Sequence, residues 1–66
     1  MITVRLNGRE RPTSASTLGG LLAELQLGNP WVIVELNGTG VNRDAVIETV
    51  IKQGDQLEII RAVAGG

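Results

Sequence analysis

The chain has 66 residues with no cysteine and no histidine, and its 6 Lys and Arg against 7 Asp and Glu give a formal charge of -1. A chain this short makes one small domain, which buries only about 60% of the surface its unfolded form exposes. Its composition excludes a disulfide framework, a thiolate nucleophile, an imidazole base and a Cys- or His-ligated metal, and its interspersed charges lack the basic stripe that nucleic acid requires.

Ile2, Val4 and Leu6 alternate with Thr3 and Arg5, which predicts a strand with one buried face. Asn7-Gly8 then turns the chain, since both central residues of a type I′ turn need positive φ. The return strand, Arg9 to Thr13, is polar and carries Pro12. Proline cannot donate to a ladder, so this strand belongs at a sheet edge.

After a connector from Ser14, Thr17 is placed to N-cap a helix whose apolar positions are Leu18, Leu21, Leu22 and Leu25. Their spacing puts one leucine stripe toward the sheet. Gly19 and Gly20 weaken the first turn by about 1 kcal/mol each relative to Ala, and a close approach of helix to sheet is one use for them. Gly28 is expected to end the helix as a left-handed cap, with Pro30 preventing its resumption.

Trp31 to Asn37 predicts the next strand, with Val32, Val34 and Leu36 on one face and Trp31, Ile33 and Glu35 on the other. Asn37-Gly38 turns into a short segment, Thr39 to Asn42, and Arg43 to Gln53 is irregular or holds a helical turn. Gly54-Asp55 leads into the last strand, Gln56 to Ala62, with Leu57 and Ile59 toward the core and Glu58 and Ile60 away. Such an order of strands and helix implies a sheet that wraps one helix. If the first and last strands lie side by side they run parallel, because the intervening elements provide the long crossover. The expectation is an α+β domain of the β-grasp kind over residues 1–66, with a tail at 62–66.

That tail carries the chemistry. Beyond Arg61 no side chain exceeds Val63 in size, and Gly65 and Gly66 have none, so the segment cannot bury enough apolar surface to hold itself down and is expected to be mobile. Val63, Ala64 and Gly65 form a thin strand able to thread a narrow channel, presenting the Gly66 carboxylate at its end. The plainer alternative is a fraying terminus.

In this order and at this length, Asn7-Gly8, Thr17-Leu18, Leu21-Leu22, Asn37, Arg43, Gly54-Asp55-Gln56-Leu57-Glu58-Ile59-Ile60 and Ala62-Val63-Ala64-Gly65-Gly66 resemble the ubiquitin-like sulfur carriers, most closely the ThiS family. The resemblance covers the whole chain. It departs from the family pattern at Asn42, where a proline is expected, and at Ala45-Val46, near which an aromatic is usual. It implies a ubiquitin-like β-grasp fold and a carrier, not an enzyme, with no cofactor or metal of its own. A ThiF-type activating enzyme using ATP and Mg²⁺ would adenylate Gly66. A sulfur donor protein would then give a thiocarboxylate, and thiazole synthase, ThiG, would take that sulfur into the thiazole of thiamin. A terminal carboxyl, with a reference pKa of about 3.3 to 3.7, is ionised at neutral pH and able to attack phosphorus.

Ordering a tail in a partner's channel costs on the order of 1 to 2 kcal/mol per residue, so affinity should come from a second, preformed surface. Trp31, Ile33 and Ile60 are the candidates for an apolar patch on the sheet face away from the helix, with Arg61 positioning the tail against acidic groups. Trp31 can equally cover the end of the core, and Arg61 can be a solvated residue near a chain end. Arg43 either serves the family's function or braces its loop against Asp44 or Glu48, and Asp55 is the residue of a Gly-Asp turn.

Two other readings remain. One keeps the chemistry and changes the pathway, to a MoaD-like small subunit of molybdopterin synthase or a modifier used in tRNA thiolation; the tight Asn7-Gly8 hairpin weighs against both. Another is a ubiquitin-like interaction module with an inert tail. Apolar runs such as Trp31 to Val34 are too short to cross a bilayer, and Met1 to Gly8 has no signal-peptide pattern, so a cytoplasmic protein is expected, with neither membrane nor nucleic acid as partner.

Overall fold

A computed structural model describes residues 1–27 and 32–61 of the chain. Five strands form one mixed sheet in the order β2-β1-β5-β3-β4. They are β1 (Ile2–Leu6), β2 (Arg9–Thr13), β3 (Val32–Leu36), β4 (Thr39–Val41) and β5 (Gln56–Arg61), with helix α1 (Leu18–Glu24) between β2 and β3 and a single helical turn, α2 (Arg43–Val46), before β5.

The two central strands, β1 and β5, run parallel, with Arg5 opposite Gln56 and Leu6 opposite Leu57. Antiparallel hairpins flank them. β2 lies at an edge, where Pro12 opposite Thr3 removes no internal ladder bond, and β3 pairs with both β5 and β4.

One face of this sheet is the core. Val4, Val34, Leu57 and Ile59 from the strands are buried with Leu18, Leu21 and Leu22 from α1, and Val46 and Ile51 close one end. The leucine stripe therefore faces the sheet as its spacing requires, with Leu25 half-buried beside it. Thr17 caps α1: its hydroxyl oxygen accepts from the Gly20 N–H at 3.1 Å.

Two details of α1 differ from the sequence expectation. The helix ends at Glu24, and Gln26, not Gly28, takes the left-handed conformation, with φ 59°. Leu27 N–H donates to the Leu22 carbonyl at 2.8 Å and Gln26 N–H to the Ala23 carbonyl at 3.1 Å, the paired bonds of a Schellman closure. Leu27 packs against the core, which ends the helix before the chain reaches Gly28. Gly28 and Pro30 lie outside the described residues.

The close approach at Gly19 is to the α2 segment, not to the sheet. A Cβ there would stand 2.9 Å from both Cα and the carbonyl oxygen of Ile47. Leu18 N–H donating to Thr49 O at 2.8 Å, and Ile51 N–H to Ser16 O at 3.0 Å, stitch this segment to the start of α1.

At Asn42, φ is -60° and the side chain accepts from the Asp44 N–H at 3.0 Å. The backbone thus has the φ a proline would fix, and asparagine supplies an N-cap in its place. Among the described residues no helix is long and apolar enough to cross a membrane.

Candidate functional site

The candidate site is the end of β5 and the sheet face around it. β5 is anchored on both sides by the two Asn-Gly turns. Asn7 and Asn37 have φ of 49° and 52°, followed by Gly8 at 84° and Gly38 at 86°, so both hairpins take the positive-φ geometry that a tight β-turn of this kind requires.

Each asparagine also reaches β5 with its side chain. Asn7 Nδ2 donates to the Ile59 carbonyl at 3.1 Å, and Ile59 N–H donates to Asn7 Oδ1 at 2.7 Å. From the opposite side, Gln56 N–H donates to Asn37 Oδ1 at 2.9 Å while Asn37 Nδ2 donates to Asp55 Oδ1 at 3.1 Å. Asp55 Oδ2 accepts from the Lys52 N–H at 2.8 Å, which makes it the turn residue its Gly-Asp context predicts. Sequence reading found the turns but not these clamps, because an Asn-Gly pair announces positive φ and says nothing about which strand its amide meets.

Alternation along β5 sends Leu57 and Ile59 into the core and leaves Glu58 and Ile60 outside. On β3, Ile33 is outside in the same way. Ile33 and Ile60 are directly opposite in the register and remain 53% and 51% exposed, so the predicted pairing of these two is present as an apolar patch on the face turned from α1. Two residues further along the same ladder, Glu35 stands opposite Glu58. A shallow depression beside them is lined by Arg5, Gly8, Glu35, Gly38, Gln56 and Glu58.

Arg61 is exposed, ends β5 and pairs with Val32. Trp31 and the tail residues Val63, Ala64, Gly65 and Gly66 lie outside the described residues. Among the described residues no three of His, Cys, Asp and Glu gather as a metal site would require.

A parallel pair of central strands, hairpins on either side and one helix across a single face define a β-grasp protein of the ubiquitin-like kind, whose last central strand leads to the chain's Gly-Gly end. The sequence profile of the ThiS family matches residues 4–66. The chain belongs to the ThiS family.

Solved relatives agree with this. The crystal structure of the thiamine biosynthesis protein ThiS from Geobacter metallireducens superposes with a TM-score of 0.81 at 29% identity, over 98% of this chain and 100% of that one. The solution structure of a thiamine biosynthesis protein from the same organism gives 0.79 at 29% identity, over 98% of this chain and 88% of that one. A protein named thiazole synthase, from Paramagnetospirillum magneticum, is 39% identical over 62 residues, which are 92% of this chain. The chain spans 19% of that protein's length.

Proposed function

We propose that this protein is a sulfur carrier for thiazole formation in thiamin synthesis, and that Gly66 is the group that carries the sulfur. The observation that carries the reading is the family match, which runs to Gly66 along a strand braced on both sides. Supporting the pathway is the name thiazole synthase on a relative that matches nearly this whole chain within a longer protein. That relationship points to thiazole synthase as the acceptor's enzyme.

The chemistry needs no catalytic residue from the carrier. A carboxylate is a poor acyl donor until one oxygen becomes a good leaving group. The Gly66 carboxylate attacks the α-phosphorus of ATP on a ThiF-type enzyme, with Mg²⁺ bound by that enzyme, and pyrophosphate leaves. A sulfur nucleophile supplied by a donor protein then displaces AMP, leaving a thiocarboxylate. Val63, Ala64 and Gly65 thread the partner's active site, and Arg61 stands at the mouth of the channel. Because the reactive group is the chain end, a chain without Cys or His is fully equipped for the role.

Intact mass after incubation with ATP, Mg²⁺, a ThiF-type enzyme and sulfide tests this, beside a chain lacking Gly65-Gly66. Replacing oxygen by sulfur adds ~16 Da, as does oxidation of Met1, so alkylation must accompany the mass: a thiocarboxylate is alkylated readily and a sulfoxide is not. An alkylatable gain confined to the intact tail is the expected result. No gain, with an enzyme active on another carrier, would leave the interaction module as the better reading.

A further inference from the structure

Glu35 and Glu58 are directly opposed on neighbouring strands, an arrangement in which like charges repel and lower stability. Nothing beside Glu35 on β4 shields it, since its partner there is Gly40. Arg5 lines the same depression, so one cation faces two carboxylates and the face keeps an excess of negative charge. Next to it on the same ladder is the exposed pair Ile33 and Ile60. A local rule broken on the surface without compensation inside the chain points to a role outside it.

We propose that this face docks the adenylating enzyme through a surface on which an apolar side chain is flanked by a lysine or arginine. The apolar group covers Ile33 and Ile60, and the cation lies between Glu35 and Glu58. Charge complementarity selects this occupant. A second copy of the chain, docked through the same face about a twofold axis, would set its own glutamates against these. The face is also continuous with Arg61, from which the chain runs on to Gly66, so a partner seated on it has the carboxylate within reach. The identity of the enzyme rests on the carrier reading above; the charge and shape of the docking surface do not.

Binding of the full chain to a purified ThiF-type adenylating enzyme, without ATP and at low and high salt, tests the proposal. The double variant Glu35→Gln/Glu58→Gln is expected to bind about tenfold more weakly at low salt and to lose most of the salt dependence. Its melting temperature should hold or rise, because the repulsion is gone. Ile33→Ser/Ile60→Ser should weaken binding at both salt concentrations. Wild-type affinity and salt dependence in the double glutamine variant would overturn the proposal, as would an intact chain that does not bind. A chain that gains sulfur at Gly66 yet is indifferent to the glutamine substitutions keeps its carrier function and loses this docking face.

Discussion

Asn7 holds the backbone of Ile59 by both its polar groups, at 2.7 and 3.1 Å. The last backbone bond between β1 and β5 is Asn7 N–H to the Leu57 carbonyl, at 2.8 Å. One residue's side-chain amide thus imitates the next peptide of β1 and extends the grip on β5 beyond the point where the strand has already turned away. Position along β5 matters because its far end leads to Gly66.

Asn7→Gly keeps the left-handed turn and removes the clamp, so it isolates the two hydrogen bonds. At about 1 kcal/mol net for each, it should cost about 2 kcal/mol and lower the melting temperature by about 10 °C in a domain of this size. Asn7→Ala should cost roughly 1 kcal/mol more, because alanine also resists the φ of 49°. Amide exchange at Ile59 should quicken in both variants more than at Leu57. Equal stability of Asn7→Gly and wild type would show that the amide serves the turn alone.

Gly19→Ala tests the contact between α1 and the α2 segment. Alanine gains helix propensity, about 1 kcal/mol at most. Its Cβ, however, meets Ile47 backbone atoms at 2.9 Å, and backbone cannot rotate away as a side chain can. Overpacking of this kind costs about 1–3 kcal/mol, so a net loss is expected. Gly20→Ala meets only the Ala15 Cβ, at 3.2 Å, and should melt higher than Gly19→Ala. The reverse order in a thermal melt would mean that α2 moves aside freely.

These two sites also mark where sequence was sufficient and where it was not. Alternation at Ile2, Val4 and Leu6, the leucine spacing of α1, and two Asn-Gly pairs are local signals, and each appears in the structure at the residues that carry it. Parallel pairing of β1 with β5 followed from connectivity. Register did not: that Ile33 meets Ile60 was legible as a shared face, but that Glu35 meets Glu58 depends on alignment between strands separated by a long loop. The Gly19 contact was missed for the same reason, since glycine announces space without naming what fills it. Gly28 looked like the helix cap because glycine is the usual left-handed residue. Tertiary burial of Leu27 overrode that preference and forced Gln26 into the role.

Gln26→Gly should therefore stabilise the protein. Gln26 holds φ 59° with an exposed side chain, and a residue with a Cβ in this conformation costs roughly 1 kcal/mol relative to glycine. Part of that gain is offset by the greater freedom of glycine in the unfolded chain. A rise of a few tenths to about 1 kcal/mol in denaturant melts is expected, with an unchanged slope. A loss of stability would indicate that the Gln26 side chain contributes a contact worth more than the backbone strain.

Acid should weaken the tie between the end of α1 and β2. The buried Thr13 hydroxyl donates to Glu24 Oε1 at 2.7 Å and the Ser14 hydroxyl to Oε2 at 3.0 Å. Thr13 is the largest influence holding the Glu24 carboxyl below its ordinary value of 4.5, with Ser14 and the charge of Arg11 acting in the same sense and desolvation opposing them. A carboxyl whose pKa is lowered by folding contributes stability that is fully present above the unfolded value and is lost as pH falls through the folded one. Wild type should accordingly melt above Glu24→Gln at about pH 6, and the gap should close toward about pH 3, where protonated Glu24 resembles glutamine. Thr13→Val should reduce the same pH dependence by removing its main cause. A gap between wild type and Glu24→Gln that stays constant across this range would show that the ionised carboxylate contributes nothing beyond the shape and hydrogen bonding of its neutral counterpart.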